Sequence, residues 1–117
     1  MVLLGRLVSS FRYRSHVAQF LSVFLRRVTV VGDSMTPTYR AGTRLLAVRR
    51  WRRVRIGDVV VVADPRDARR WLLKRCVARD GSHLDLRGDN AEASTDSRDF
   101  GLVDEGQVRW LVPRRQS

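Results

Sequence analysis

"DVVVVA", Asp58–Ala63, is the stretch on which the reading of the fold turns. Four valines in a row put β-branched, apolar side chains on both faces of an extended chain, whereas a strand with one wet face alternates apolar with polar residues. The reading is a buried central strand, begun at Gly57 and closed by the turn "DPRD" (Asp64–Asp67). Similar short runs lie on either side, broken by Gly, Asp and Pro. "RVTVV" (Arg27–Val31) and "TRLLAVR" (Thr43–Arg49) come before it. "RWLLKRCVARD" (Arg70–Asp80), "HLDLRG" (His83–Gly88) and "QVRWLV" (Gln107–Val112) come after. Between the last two, "GDNAEASTDSRDFG" (Gly88–Gly101) is too polar for a strand or a helix core and is expected to be a structured loop. The expected class is mainly β.

The chain has 117 residues, enough for one domain of ordinary size, and 44% of them are apolar. The expected division is a helical segment over residues 1–26 and a β domain over 27–117. Phe11, Phe20, Leu21, Phe24 and Leu25 would line one side of that helix. It either packs on the domain or lies as a basic amphipathic helix on a membrane surface. Its apolar stretch "VAQFLSVFL" (Val17–Leu25) is short of the roughly 20 residues that a spanning helix needs. No small-residue cleavage site follows it, which makes a secretory signal a poor fit.

Net charge is +11, from 23 Lys and Arg against 12 Asp and Glu. Such an excess favours anionic partners without choosing among nucleic acid, lipid headgroups and acidic protein. "RRWRRVR" (Arg49–Arg55) interleaves arginines with an aromatic, as a nucleic-acid-binding strand would. The plainer reading is a solvated hairpin tip. Cys76 is the single cysteine, so no internal disulfide forms, and neither His16 nor His83 has a partner at ligand spacing. No metal or cofactor is expected.

Two residues stand out against this background. Ser34 lies in "GDSMTPT" (Gly32–Thr38), immediately after an apolar run. Lys74 is the only lysine in a chain whose other cations are arginines. An arginine cannot give up its proton in a protein, but a buried lysine can. A serine hydroxyl becomes a useful nucleophile once a neighbouring base takes its proton. For lysine to be that base its pKa must fall from about 10.4 towards neutrality, which takes roughly 4 kcal/mol of discrimination against the charged form. Trp71, Leu72 and Leu73, just before Lys74, are the apolar surroundings that could supply it.

Four motifs in order now resemble the type I signal peptidases: "GDSMTPT", "GDVVVV", "KR" and "GDNAEASTDSRDFG", covering Val28 to about Val112. The resemblance implies a signal-peptidase-like antiparallel sheet or partial barrel and a serine endopeptidase that removes an N-terminal leader. It implies Ser34 as the acyl-forming nucleophile and Lys74 as its general base. The oxyanion hole would use the Ser34 N–H; where some relatives carry a hydroxyl two residues earlier, this chain has Gly32. Asp33, Met35 and Pro37 would shape the turn and the substrate cleft. Ser94 would orient the lysine amine, and Asp96 with Arg98 would fix the loop, in which Asp89, Asn90 and Ser97 are structural.

The short, basic form resembles the compact relatives that mature nickel superoxide dismutase, and also the small mitochondrial inner-membrane peptidases. The partner implied is a protein bearing a leader peptide, with membrane-surface contact through the N-terminal segment and no nucleic acid. Arg26 and Arg27, directly before the β domain, would be retained on the cytoplasmic side, so the expected place is the cytoplasm or a membrane surface. The alternatives are a basic nucleic-acid-binding β domain and a catalytically silent relative.

Overall fold

The computed structural model describes residues 1–6 and 23–114. Eight strands form one antiparallel sheet: β1 (Val2–Arg6), β2 (Leu25–Val30), β3 (Arg44–Arg49), β4 (Val59–Asp64), β5 (Asp67–Asp80), β6 (His83–Arg87), β7 (Val103–Asp104) and β8 (Val108–Val112). The hydrogen-bonded order is β1-β2-β3-β8-β4-β5-β6-β7, and β1 also pairs with β5. Six strands thereby close into a barrel, while β6 and β7 continue from β5 as a flap outside it. One helical turn, α1 (Ser97–Phe100), lies in the loop between β6 and β7.

β4 sits between β8 and β5, and its valines explain why. Val59 and Val61 enter one apolar cluster with Val28, Val30, Met35, Leu45, Leu73 and Trp110. Val60 and Val62 enter a second cluster with Val54, Leu72, Cys76, Leu84, Leu86 and Leu111. The first fills the barrel; the second lies between the outer face of β4 and β5 and the β6–β7 flap. Both faces of β4 are dry because each faces its own core.

β5, at 14 residues, is long enough to belong to both units. Its first half pairs with β4 and, at Trp71, with Val2 of β1; its second half pairs with β6. The hairpin between β4 and β5 turns at Asp64, a buried carboxylate that accepts the Arg66 N–H at 2.8 Å and its guanidinium at 3.0 Å.

The expectation of a helix over 1–26 fails at its start, whereas near its end Val23 and Phe24 are helical and only the last two residues are strand. Val2–Arg6 is a strand paired along its whole length with β2, and Leu25 and Arg26 already belong to β2. Val2 pairs with both neighbours, so barrel closure overrides the local pattern. Phe11, Phe20, Leu21 and His16 lie outside the described residues. Among the described residues no helix is long and apolar enough to cross a membrane.

"RRWRRVR" is partly built into the fold. Arg50 donates to the Val108 carbonyl at 2.6 Å, Arg52 pairs with Asp58 at 2.7 Å, and Val54 is buried. Trp51 stays exposed, with the Arg52 guanidinium above its ring.

Candidate active site

The chain leaves β2 and turns sharply at Gly32, whose φ of +84° suits a residue without Cβ. The turn then folds onto itself. The Asp33 carbonyl accepts the Thr36 N–H at 3.2 Å and the Thr36 hydroxyl at 2.9 Å, and the Met35 carbonyl accepts the Tyr39 N–H at 2.8 Å. Met35 points into the barrel core, so the turn is pinned from beneath. Gly32, Asp33 and Pro37 are exposed, and Ser34 is 8% exposed.

A second segment clamps this turn. The Asn90 N–H donates to the Ser34 carbonyl at 2.9 Å, and its side-chain amide donates to the Asp33 carbonyl at 3.1 Å and the Thr36 hydroxyl at 3.0 Å. Asp89 accepts from the Thr38 hydroxyl at 2.5 Å and pairs with Arg75 at 2.9 Å. Gly88 makes the approach possible. A Cβ there would lie 2.5 Å from the Ser34 carbonyl oxygen and 2.4 Å from Ser94 Oγ, distances that no carbon tolerates. The Ser34 carbonyl and the Ser94 hydroxyl thus face each other across a gap that even a methyl group would overfill.

Lys74 is only 1% exposed. Strand alternation puts it on the same face of β5 as Leu72, opposite Val60 of β4, beneath the polar loop. Its Nζ donates to Ser94 Oγ at 2.9 Å, and that hydroxyl donates to Asp96 Oδ2 at 2.6 Å. Asp96 is fully buried; it accepts the Gly88 N–H at 3.0 Å, caps α1 through the Arg98 N–H at 3.1 Å, and pairs with the Arg98 guanidinium at 2.6 Å. Burial pushes the Asp96 carboxyl up, but bonds from Arg98, Ser94 and the backbone outweigh it and hold the group well below the usual carboxylate range. Lys74, Ser94, Asp96 and Arg98 form one hydrogen-bonded chain.

Burial is also the largest influence on Lys74 and lowers its pKa. Asp96 and Asp64 pull the other way, but each carboxylate comes with its own arginine, Arg98 and Arg66, whose charges again lower it. The ammonium therefore gains little from the acids around it, and desolvation decides the direction.

The motif residues Ser94, Asp96 and Arg98 meet Lys74, and Ser97 is structural, accepting the Leu86 N–H at 2.9 Å. Gly88, Asn90 and the Asp64–Arg66 pair have more influence on the site than their sequence suggests. The glycine before "DN" was a visible signal; Arg66, in an ordinary hairpin turn, gave none. Among the described residues no group of His, Cys, Asp and Glu could hold a metal ion.

A six-stranded antiparallel barrel with a serine turn after β2 and a buried lysine on β5 is the architecture of a class of serine-type peptidases. Residues 6–88 match the family model for signal peptidase, peptidase S26, and the chain belongs to that family. It is 32% identical to the mitochondrial ATP-independent inner membrane protease subunit 1a of Arabidopsis thaliana, over 85% of this chain and 79% of that one. It is 31% identical to the mitochondrial inner membrane protease subunit 1 of Schizosaccharomyces pombe, over 72% of this chain and 68% of that one. The protein is a serine-type peptidase of the leader-processing kind.

Proposed function

We propose that Ser34 is the nucleophile and Lys74 its general base. The supporting observation is a lone lysine with 1% exposure whose Nζ bonds to a neutral hydroxyl. An amine so placed is easily kept uncharged, which a base requires. Ser94 is the positioning residue: donating to Asp96, its hydroxyl has a lone pair left for one amine hydrogen, which leaves the nitrogen lone pair free for Ser34.

In the proposed reaction Lys74 takes the Ser34 proton as Oγ attacks the scissile carbonyl. The oxyanion is received by the Ser34 N–H, since Gly32 offers no hydroxyl; such a donor is worth roughly 3 to 4 kcal/mol in the transition state. The new ammonium returns its proton to the departing amine of the mature chain, leaving the leader as an ester on Ser34. Water, deprotonated by Lys74, then releases the leader with a free carboxylate and restores the serine.

The basic chain resembles the peptidases that mature nickel superoxide dismutase, and the precursor of such an enzyme is the substrate we put first. The excess of arginine suits contact with an anionic membrane surface. The test is incubation of the pure protein with leader-bearing precursors and mapping of new N-termini by mass spectrometry. Ser34→Ala and Lys74→Ala should each abolish cleavage with the fold intact by circular dichroism. The wild-type rate should rise with pH as Lys74 deprotonates, beginning below the range of an ordinary lysine. Cleavage at neutral pH by Lys74→Ala would falsify the dyad.

A further inference from the structure

β1 holds an unusual position. Val2 pairs with Val30 on one side and with Trp71 on the other, and the Met1 carbonyl accepts the Val31 N–H at 2.9 Å. Val30 and Val31 lead directly into the Ser34 turn, and Trp71 leads directly into Lys74. The first residues of the chain therefore lie between the end of β2 that leads to Ser34 and the first half of β5, three residues before Lys74. The Met1 amine is close enough to sense it: burial first, then the charges of Lys74 and Arg70, push its pKa below the ordinary value.

The two sides of β1 are held unequally. Five register pairs join it to β2, but a single pair joins it to β5. Val2 fills an apolar hole shared with Val28, Val30, Met35 and Leu73, while Leu3 is 59% exposed. If β1 withdrew, β2 and β5 would present facing rows of unpaired N–H and C=O groups beside that hole. Such edges take up an extended peptide by strand addition, with backbone bonds for affinity and the hole for side-chain choice.

We infer that Met1–Arg6 is a built-in occupant of this slot, and that an extended leader segment must displace it to reach Ser34. The inference rests on the proposed roles of Ser34 and Lys74. A tethered strand competes at an effective concentration of about millimolar. A leader thus succeeds by matching the hole and the two backbone edges better than the chain's own residues do, and peptides that fit poorly are turned away.

The register supplies the test. Gly5 faces Arg27, and a Cβ added at Gly5 would lie 4.0 Å from the Arg27 Cβ. That separation falls within the roughly 3.5–4.5 Å that a disulfide spans. The full chain with Gly5→Cys and Arg27→Cys, oxidised, has β1 locked onto β2. It should cleave a leader-bearing precursor at least about tenfold more slowly than the same protein after reduction. Equal rates would overturn the inference while leaving the protease reading intact.

A second arm needs no catalysis. Val2→Asp puts a charge in the apolar hole and should release β1 within the full chain. The peptide Met-Val-Leu-Leu-Gly-Arg, labelled with fluorescein at its C-terminus, should then bind saturably by fluorescence polarisation, and should not bind the oxidised double-cysteine protein. Absence of binding to a folded Val2→Asp protein would also overturn the inference. Binding without cleavage by any form would keep the occupied slot and remove the protease reading. If Val2→Asp does not fold, the oxidised-to-reduced rate ratio decides alone.

Discussion

The turn that carries Ser34 and the loop that carries Ser94 face each other across Gly88, yet they are held in different ways. Around Ser34 the turn is fixed by neutral bonds, namely main-chain contacts, the Thr36 hydroxyl and the Asn90 amide, and its one charged contact, from Thr38 to Asp89, lies at its far end. The loop is fixed by charge, through Asp96, its capped helix and Arg98. On the proposed roles of Ser34 and Lys74, the difference follows from what each must do. A nucleophilic hydroxyl needs position and is little helped by a fixed charge beside it. A lysine meant to be uncharged needs a firmly held acceptor at its amine, and Asp96 provides this through Ser94 while Arg98 offsets its field.

The largest disturbance should come at the point where the two regions meet. Gly88→Ala forces a Cβ into the Ser34 carbonyl and the Ser94 hydroxyl, so turn and loop must separate. Overpacking of this kind costs about 1 to 3 kcal/mol. Thermal melting should show a drop of several degrees, and kcat/KM should fall by about a hundredfold, as expected when reacting groups are misplaced by about 1 Å.

A smaller change separates charge from position. Arg98→Gln leaves Asp96 and Ser94 in place but removes one of the positive charges that lower the Lys74 pKa. The pKa then rises, fewer molecules carry the free base at neutral pH, and the rising limb of the pH–rate profile moves to higher pH. Cleavage near pH 7 should fall several-fold while the plateau at high pH is retained, and Arg98→Lys should restore most of the profile.

The smallest effect belongs to the neutral side. Asn90→Ala removes two side-chain bonds to the turn but keeps the backbone bond to Ser34. A loss of about 1 kcal/mol in stability is expected, with a few-fold lower kcat and no shift of the pH profile. A pH shift in this variant, or none in Arg98→Gln, would break the distinction between the two regions.

Much of this architecture was legible in the sequence because it depends on local pattern. The two parities of "DVVVVA" correspond to two cores, and each of the five strand runs read around it forms a strand within a few residues of its expected bounds. The polar loop also stood out, although it contains the short helix α1. What escaped depends on contacts distant in the chain. β1 is a strand because β2 and β5 lie on either side of it, which nothing within its first residues announces. β7 is two residues long and exists through its pairing with β6. Arg66 matters to Lys74 because a hairpin brings Asp64 near it, and Gly88 because two oxygens converge on its empty side.

β4 and β5 are walls common to both apolar clusters, so neither the barrel nor the flap has a seam along which it could melt alone. Heat that loosens the flap strips one side of the strand holding Lys74 and so loosens the barrel with it. The molecule should come apart in a single cooperative step, and warming should cost it catalytic competence and native structure together.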